Sequence, residues 1–329
     1  MLTASLPVEA NSVLARIAFK IPLKKTRLDM NRRLIFLCIL LFAQSCSIPT
    51  AELEEFDIQG HRGCKGLMPE NSIPGFLKAV ELGVDTLEMD VVITQDDQVI
   101  VSHEPYMSGK ICLDRMNQEI PEGREKAYNI YRMNYEEVEL YDCGSKPLDG
   151  YPQQEKLPTT KPLLTDVIQA VDSYAQEKGL TPIKFNIEIK SRPEGDGIYH
   201  PKPNRFARLV LDAIKQVGIT ARSTIQSFDA RSLRAVKAFE TSAQTAYLIN
   251  NELSPEENLE GLGFEPDIYS PQHALVNEEM LRILHGRGIK VIPWTVNDSK
   301  DMKRLIELGV DGIISDYPDR LVKVVARPE

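Results

Sequence analysis

Short apolar runs alternate with amphipathic stretches from residue 56 to residue 325. Apolar runs of strand length predict β-strands, whereas apolar residues three and four positions apart predict helices. Strands are predicted at residues 56–60, 85–93, 99–102, 183–190, 223–228, 244–249, 267–270, 290–296 and 312–315. Helices are predicted at residues 72–82, 163–176, 205–217, 230–240, 277–285 and 300–308.

This alternation predicts an α/β protein with a parallel sheet. Because so many units follow one another, we expect a closed TIM (β/α)8 barrel. An open doubly wound sheet is the weaker alternative, since no Gly-x-Gly-x-x-Gly motif follows a strand. Nine strands are predicted, and a tight turn joins those at 85–93 and 99–102. One of these two is therefore an antiparallel arm or a departure from ideal barrel geometry.

Residues 104–161 contain few periodic runs and many glycines and prolines. A long stretch of this kind inside a domain usually has a function. We interpret it as an insert in a barrel spanning residues 56–325, forming a small subdomain or a lid over the site. A mobile surface insertion is the alternative. Cys112 and Cys143 both lie in this insert and could form a disulfide in an exported protein.

The first 45 residues differ from the rest of the chain. Met30 and two arginines precede an apolar run from Leu34 to Ala43, which predicts a secretory signal peptide at residues 30–45. The run is too short to span a membrane. Met30 is then interpreted as the start of translation, with residues 1–29 as an upstream mis-start.

The end of this signal resembles a bacterial lipoprotein box, with Cys46 as the lipidated residue. Ala43 stands where that pattern usually has leucine. Residues 46–55 would form a tether, and a lipid on Cys46 would hold the protein at a membrane surface. We therefore expect an exported protein of the bacterial cell envelope, on the periplasmic side or at the outer membrane. An exported protein without an anchor is the alternative.

The chain has 39 Lys and Arg residues against 48 Asp and Glu residues, for a net charge of −9. An acidic balance of this kind argues against a nucleic acid partner, which requires a basic face.

Carboxylates lie on one face of two predicted strands. Glu88 and Asp90 share a face because they are two residues apart, and Glu188 lies on the strand at 183–190. The inner face of a barrel normally carries branched apolar residues. Three carboxylates there suit a hard divalent cation such as Mg²⁺ or Ca²⁺. Salt bridges to nearby basic residues are the alternative explanation.

Two histidines stand at strand ends beside these acids. His61 and His103 are therefore predicted as a general acid and base pair. Arg62 and Lys190 can hold an anion between them. This set suits displacement at phosphorus in a diester, since charge builds on the phosphoryl oxygens and no phosphate-binding Gly-rich loop is present. The remaining histidines are interpreted as structural: His200, His273 and His285.

Several motifs together resemble the glycerophosphodiester phosphodiesterase family, in order along residues 57–321. The first four are Gln59-Gly-His61-Arg62-Gly63, Pro69-Glu70-Asn71-Ser72, Leu87-Glu88-Met89-Asp90-Val91 and Val101-Ser102-His103-Glu104. The later ones are Asn186-Ile-Glu188-Ile-Lys190, Ile225-Gln226-Ser227-Phe228, Trp294-Thr-Val-Asn297 and Gly312-Ile-Ile-Ser-Asp316-Tyr-Pro318.

The resemblance implies a phospholipase C-like TIM-barrel enzyme that cleaves deacylated phospholipids to glycerol 3-phosphate and an alcohol. It implies roles for residues already singled out: His61 and His103 in catalysis, Glu88, Asp90 and Glu188 as metal ligands, and Arg62 and Lys190 near the phosphate. It adds Trp294 to the substrate pocket and Glu70 as a support for the arginine and the ion. The expected partners are a small glycerophosphodiester and one Mg²⁺ or Ca²⁺ ion.

The sequence departs from the family pattern at Glu104, where aspartate is usual, and residues 104–161 map to no family position. Head-group preference is therefore open. A related barrel phosphodiesterase acting on intact phosphatidylinositol or sphingomyelin is an alternative. A binding protein without activity is another, although such a protein is expected to lack a histidine or a carboxylate, and none is missing.

Overall fold

The computed structural model describes residues 56–325 of the 329-residue chain. The predicted mis-start, the signal peptide, the predicted lipidation site Cys46 and the whole tether lie outside these residues. Within the described range, no helix combines the length and the apolar character needed to cross a membrane.

The described residues form alternating strands and helices. The strands are β1 (Asp57–Gly60), β2 (Thr86–Ile93), β3 (Val99–Val101), β4 (Lys184–Ile189), β5 (Ser223–Ser227), β6 (Gln244–Ile249), β7 (Ile268–Pro271), β8 (Lys290–Val291) and β9 (Gly312–Ser315). The α-helices are α1 (Ile73–Glu81), α2 (Tyr135–Val138), α3 (Leu164–Lys178), α4 (Pro203–Gln216), α5 (Ala230–Phe239), α6 (Pro255–Leu262), α7 (Glu278–His285), α8 (Ser299–Leu308) and α9 (Pro318–Val325).

Eight of these strands pair in parallel in the order β8-β7-β6-β5-β4-β2-β1-β9. Backbone hydrogen bonds join the two ends of this order: Ile314 N–H donates to the Pro293 carbonyl, and Val296 N–H donates to the Ile314 carbonyl. The predicted eight-stranded parallel barrel is thereby confirmed.

The ninth strand, β3, pairs antiparallel with β2, with Val91 opposite Val101 and Ile93 opposite Val99. It lies outside the parallel order as the arm of a hairpin. This settles the question that the nine predicted strands left open, because a tight turn can connect only antiparallel neighbours.

The barrel interior is polar on one side. Hydrogen bonds join Asn186 to both Gln59 and Gln226, and Gln226 to Glu88, so β1, β2, β4 and β5 meet in a polar layer. The opposite side is a separate apolar cluster, formed by Ala246, Ile268, Ile292 and Ile314. The polar half lies below the strand ends that carry the predicted acids.

The insert packs as a unit on the outside of the β2–β3 hairpin. Its apolar residues, among them Met107, Ile130 and Tyr141, form one cluster with Val92 and Ile100. A disulfide joins Cys112 to Cys143, the pairing that the sequence left open.

Some local predictions were incomplete. Helices α2, α6 and α9 were not predicted, although a capping box between Ser254 and Glu257 marks the start of α6. The strand predicted at 290–296 is regular only at Lys290–Val291. Pro293 has no N–H to donate, so the ladder is interrupted there, and single backbone bonds continue the pairing.

Candidate active site

Polar side chains from several loops and strands meet at the carboxyl ends of the barrel strands. They surround a pocket of about 90 Å³. It is lined by His61, Arg62, Glu88, His103, Glu188, Lys190, Gln226, Phe228, Leu248, Trp294, Thr295 and Ile314. The structure therefore brings most of the predicted site residues together, with Asp90 and Glu70 directly behind this wall.

Three buried carboxylates form the centre of the site. Glu88, Asp90 and Glu188 each offer an oxygen atom, and these atoms lie within 4.8 Å of one another. Burial raises the pKa of Glu88 and Glu188. Burial also favours the neutral acid at Asp90, but nearby cations, Lys190 foremost, outweigh it and hold the pKa of Asp90 well below its usual range.

Two cations compensate only part of this charge. Lys190 Nζ lies 2.8 Å from Glu188 and 3.5 Å from Asp90, and Arg62 Nε lies 3.3 Å from Asp90. Glu88 accepts hydrogen bonds from the Gln226 amide at 2.7 Å and from the backbone N–H of Arg62 at 2.9 Å. Three carboxylates thus face two cations, an oxygen-rich donor set that fits a divalent cation. The predicted salt bridges and the predicted ligand set therefore occur in the same cluster.

His61 is oriented by a buried carboxylate. Its Nδ1 atom lies 2.5 Å from Asp316 Oδ1, and its Nε2 atom lies 4.0 Å from Glu88 on the pocket side. Burial lowers the pKa of His61, and the charge of Asp316 opposes that effect. The ring is thus fixed with one nitrogen on a carboxylate and the other directed towards the acids, the arrangement that a proton-transfer group requires.

His103 is held in the same manner by its neighbour. Its Nδ1 atom lies 2.8 Å from Glu104 Oε1. The hydrogen bond with His103 is the main cause that lowers the pKa of Glu104 to about 2. Glutamate at this position therefore supplies the carboxylate that the family pattern provides with aspartate.

Arg62 has an unusual backbone conformation, with φ of 50°, in the left-handed region. Gly60, two residues before Arg62, cannot be replaced without a steric clash, because a Cβ atom there would lie 2.2 Å from the Gly63 carbonyl oxygen. Glu70 binds the Arg62 guanidinium at 2.9 Å and lies 3.3 Å from Lys65. Burial opposes ionisation of Glu70, but these two cations outweigh it and lower its pKa to about 2.

Trp294 closes the apolar side of the pocket. Its Nε1–H donates to the Ser270 carbonyl at 2.9 Å, and its ring meets Phe228 edge-on at 5.3 Å between centroids. The indole is therefore held in one orientation beside the polar groups, as expected for a wall of a substrate pocket.

Four residues of the site were given no role by the sequence. Asp316 holds His61, Asn71 donates to Asp90 at 2.8 Å, and Gln226 donates to Glu88. These three stand inside motifs that carry the family resemblance, which is the signal that could have identified them. Tyr151, whose hydroxyl donates to Asp316 Oδ2 at 2.8 Å, lies in the insert and has no such signal.

Comparison with known proteins identifies the relatives of this chain. The profile of the glycerophosphoryl diester phosphodiesterase family matches residues 61–320. A glycerophosphodiester phosphodiesterase from Caldanaerobacter subterraneus is 32% identical over 267 residues, which cover 81% of this chain and 96% of that protein.

Solved structures show the same fold. A protein from Silicibacter pomeroyi, described as a glycerophosphoryl diester phosphodiesterase, is 26% identical with a TM-score of 0.73, covering 83% of this chain and 94% of that one. A phosphodiesterase from Oleispira antarctica, in complex with the product sn-glycerol-3-phosphate, is 21% identical with a TM-score of 0.65, covering 82% and 97%. This chain belongs to the glycerophosphoryl diester phosphodiesterase family.

Proposed function

We propose that this protein hydrolyses glycerophosphodiesters to glycerol 3-phosphate and an alcohol, with a divalent cation and with His61 and His103 as the proton-transfer pair. The observation that supports the proposal most directly is the arrangement of the two rings. Each histidine has Nδ1 on a carboxylate, and both rings line the pocket that the acids line. The product named in the Oleispira antarctica structure fits this reaction.

In this proposal, the basic residues bind the substrate and the two histidines transfer protons. Lys190 and Arg62 place positive charge beside the site, which attracts and orients the phosphodiester anion. One histidine accepts the proton of the attacking hydroxyl, and the other donates a proton to the leaving oxygen. Asp316 and Glu104 stabilise the imidazolium form of whichever ring holds the proton.

Glu88, Asp90 and Glu188 would hold the cation, and Mg²⁺ and Ca²⁺ both accept such oxygen ligands. A bound divalent cation would stabilise the negative charge on the phosphoryl oxygens. The uncompensated carboxylate charge of the cluster supports this part of the proposal.

The test replaces each proposed proton-transfer group by alanine. His61→Ala and His103→Ala are expected to lower kcat by about 10²- to 10⁴-fold on glycerophosphocholine, glycerophosphoethanolamine, glycerophosphoglycerol and glycerophosphoinositol. His285→Ala is the matched control, since His285 bonds Asp311 at a helix end remote from the pocket lining. Wild-type turnover in either active-site variant would refute the assignment. Turnover of intact phospholipids, with none of these four diesters cleaved, would instead support the intact-lipid alternative.

We also propose that the protein is exported and anchored to a membrane surface through a lipid on Cys46. The Cys112–Cys143 disulfide supports an oxidising compartment. Cys46→Ala is expected to move the protein from the membrane fraction to the soluble fraction and to abolish labelling with a radioactive fatty acid. Equal membrane association of the variant and the wild type would contradict the anchor.

A further inference from the structure

A second and larger cavity opens directly beside the active-site pocket. Its volume is about 770 Å³, against about 90 Å³ for the pocket that both histidines line. The two share a wall of five residues: His103, Glu188, Lys190, Phe228 and Trp294. The two spaces are therefore adjacent, and the side chains of these five residues face both.

The sizes of the two spaces match the two halves of the proposed substrate. Every glycerophosphodiester carries the same small glycerophosphoryl group, whereas the alcohol on the other side of phosphorus varies in size. The small pocket contains the acids and both histidines, so the reacting phosphorus must lie there. The larger cavity is then the space available to the alcohol.

Two of the segments that line the cavity contact each other. Tyr106 of the insert meets Tyr199 of the β4–α4 connection edge-on, with ring centroids 6.4 Å apart. The Asn129 amide also donates to the Ile198 carbonyl at 2.7 Å. The insert, which maps to no family position, therefore forms part of the surface that the alcohol would meet.

The lining holds three carboxylates and three Lys or Arg side chains, and its charges outside ion pairs are mostly positive. Glu104 is already bound to His103, and Lys190 to Glu188. The other charged lining residues, Lys126, Arg192 and Glu194, have no ion-pair partner in the described part of the chain. Two free cations thus face one free carboxylate, in a protein whose net charge is −9.

We infer that this cavity is the leaving-alcohol subsite and that it takes an alcohol carrying its own negative charge, as a phosphate or a carboxylate. Lys126 and Arg192 are the specificity-determining residues. This inference rests on the proposed phosphodiesterase function and names its substrate class.

The experiment compares diesters that differ only in the alcohol. The substrates are glycerophosphoglycerol, the same diester with a terminal phosphate on the alcohol, the diester of glyceric acid, and glycerophosphocholine. We expect the phosphate-bearing diester to have the highest kcat/KM and glycerophosphocholine the lowest. The preference should shrink as salt rises from about 0.01 M to 0.5 M, because ionic screening weakens attraction between exposed charges. The diester of glyceric acid, whose alcohol carries a carboxylate and no ammonium group, separates a carboxylate from a phosphate as the preferred group.

Two variants test the named residues. Arg192→Gln and Lys126→Gln are each expected to lower the ratio of kcat/KM for the phosphate-bearing diester to that for glycerophosphoglycerol by about threefold to fivefold, as for loss of one exposed charge pair. Lys303→Gln is the matched control. It removes one exposed positive charge outside the cavity lining, so the ratio should stay at its wild-type value.

The outcomes separate this inference from the function on which it rests. If no diester is cleaved, the proposed function fails and the subsite fails with it. If diesters are cleaved but glycerophosphocholine is preferred, or the ratio does not respond to either variant, the function stands and the anionic subsite is wrong.

Discussion

Tyr151→Phe removes one hydroxyl group from the insert, and we expect it to slow catalysis without unfolding the barrel. The hydroxyl donates to Asp316 Oδ2 at 2.8 Å, and the other oxygen of Asp316 lies 2.5 Å from His61 Nδ1. Tyr151 therefore acts on the reaction only through Asp316, as a positioning residue for His61.

The expected fall in kcat depends on the hydrogen bonds that Asp316 retains in the variant. A hydrogen bond to a charged group contributes about 1.5–3 kcal/mol. Oδ2 still accepts from the Asn297 amide at 2.7 Å, so the lower end applies. A loss of about 1.4 kcal/mol in the transition state corresponds to about a tenfold fall in kcat. The phenyl ring keeps its place against Tyr317 and beneath Lys65.

Steady-state kinetics on glycerophosphoglycerol measure this effect, with kcat and KM determined separately. KM should change by less than about twofold, because the lost contact does not touch the substrate. Tyr128→Phe is the control: Tyr128 also lies in the insert, and its hydroxyl has no hydrogen-bond partner within residues 56–325. An unchanged kcat in Tyr151→Phe, or an equal loss in the control, would show that the Tyr151 hydroxyl does not position His61.

Three further predictions follow from buried charges and the disulfide. Glu188→Gln removes one carboxylate of the acidic cluster and should weaken binding of Mg²⁺ or Ca²⁺ by at least about tenfold in calorimetric titration; unchanged affinity would remove Glu188 from the ligand set. Burial lowers the pKa of Lys161 to about 8, so the native state disfavours its charged form, and Lys161→Met should raise the free energy of unfolding at pH 7 by about 1–3 kcal/mol. That gain should shrink as pH rises from about 8 to 10.5, where the unfolded lysine also loses its proton, and a pH-independent difference in urea unfolding would contradict it. Cys112→Ser with Cys143→Ser should lower the free energy of unfolding by about 3 kcal/mol, a loss that reductant reproduces in the wild type and that would be absent if the bond added no stability.

The barrel could be predicted from the sequence because burial on both faces leaves a strong signal. Strand β2 is buried at every position, so it reads as an apolar run in which Glu88 and Asp90 are conspicuous. The buried acidic cluster could be predicted for the same reason, since charges on a buried strand face need a partner or an ion.

Contacts between distant residues could not be predicted in this way. Tyr151 and Asp316 are 165 positions apart, and nothing local marks the tyrosine as different from its neighbours. The pairing of Cys112 with Cys143 likewise depends on how the insert folds, which its sparse periodicity did not define.

The pairing of β3 shows an intermediate case. Its existence followed from the apolar residues Val99 to Val101, and the tight turn required an antiparallel neighbour or an irregular barrel. Only the observed register with β2 decided between the two. The local sequence pattern therefore predicted strand β3, whereas its position in the sheet could be read only from the structure.

We propose that glycerophosphodiesters are hydrolysed, with a divalent cation, at the site formed by His61, His103 and the three carboxylates of the acidic cluster. The most direct measurement is release of glycerol 3-phosphate from glycerophosphoglycerol by the full-length protein, first stripped with chelator and then titrated with Mg²⁺ or Ca²⁺. We expect no release from the stripped protein and saturable recovery with one of the two ions. Full activity in the stripped protein, or no release at any concentration of either ion from a folded protein, would contradict it.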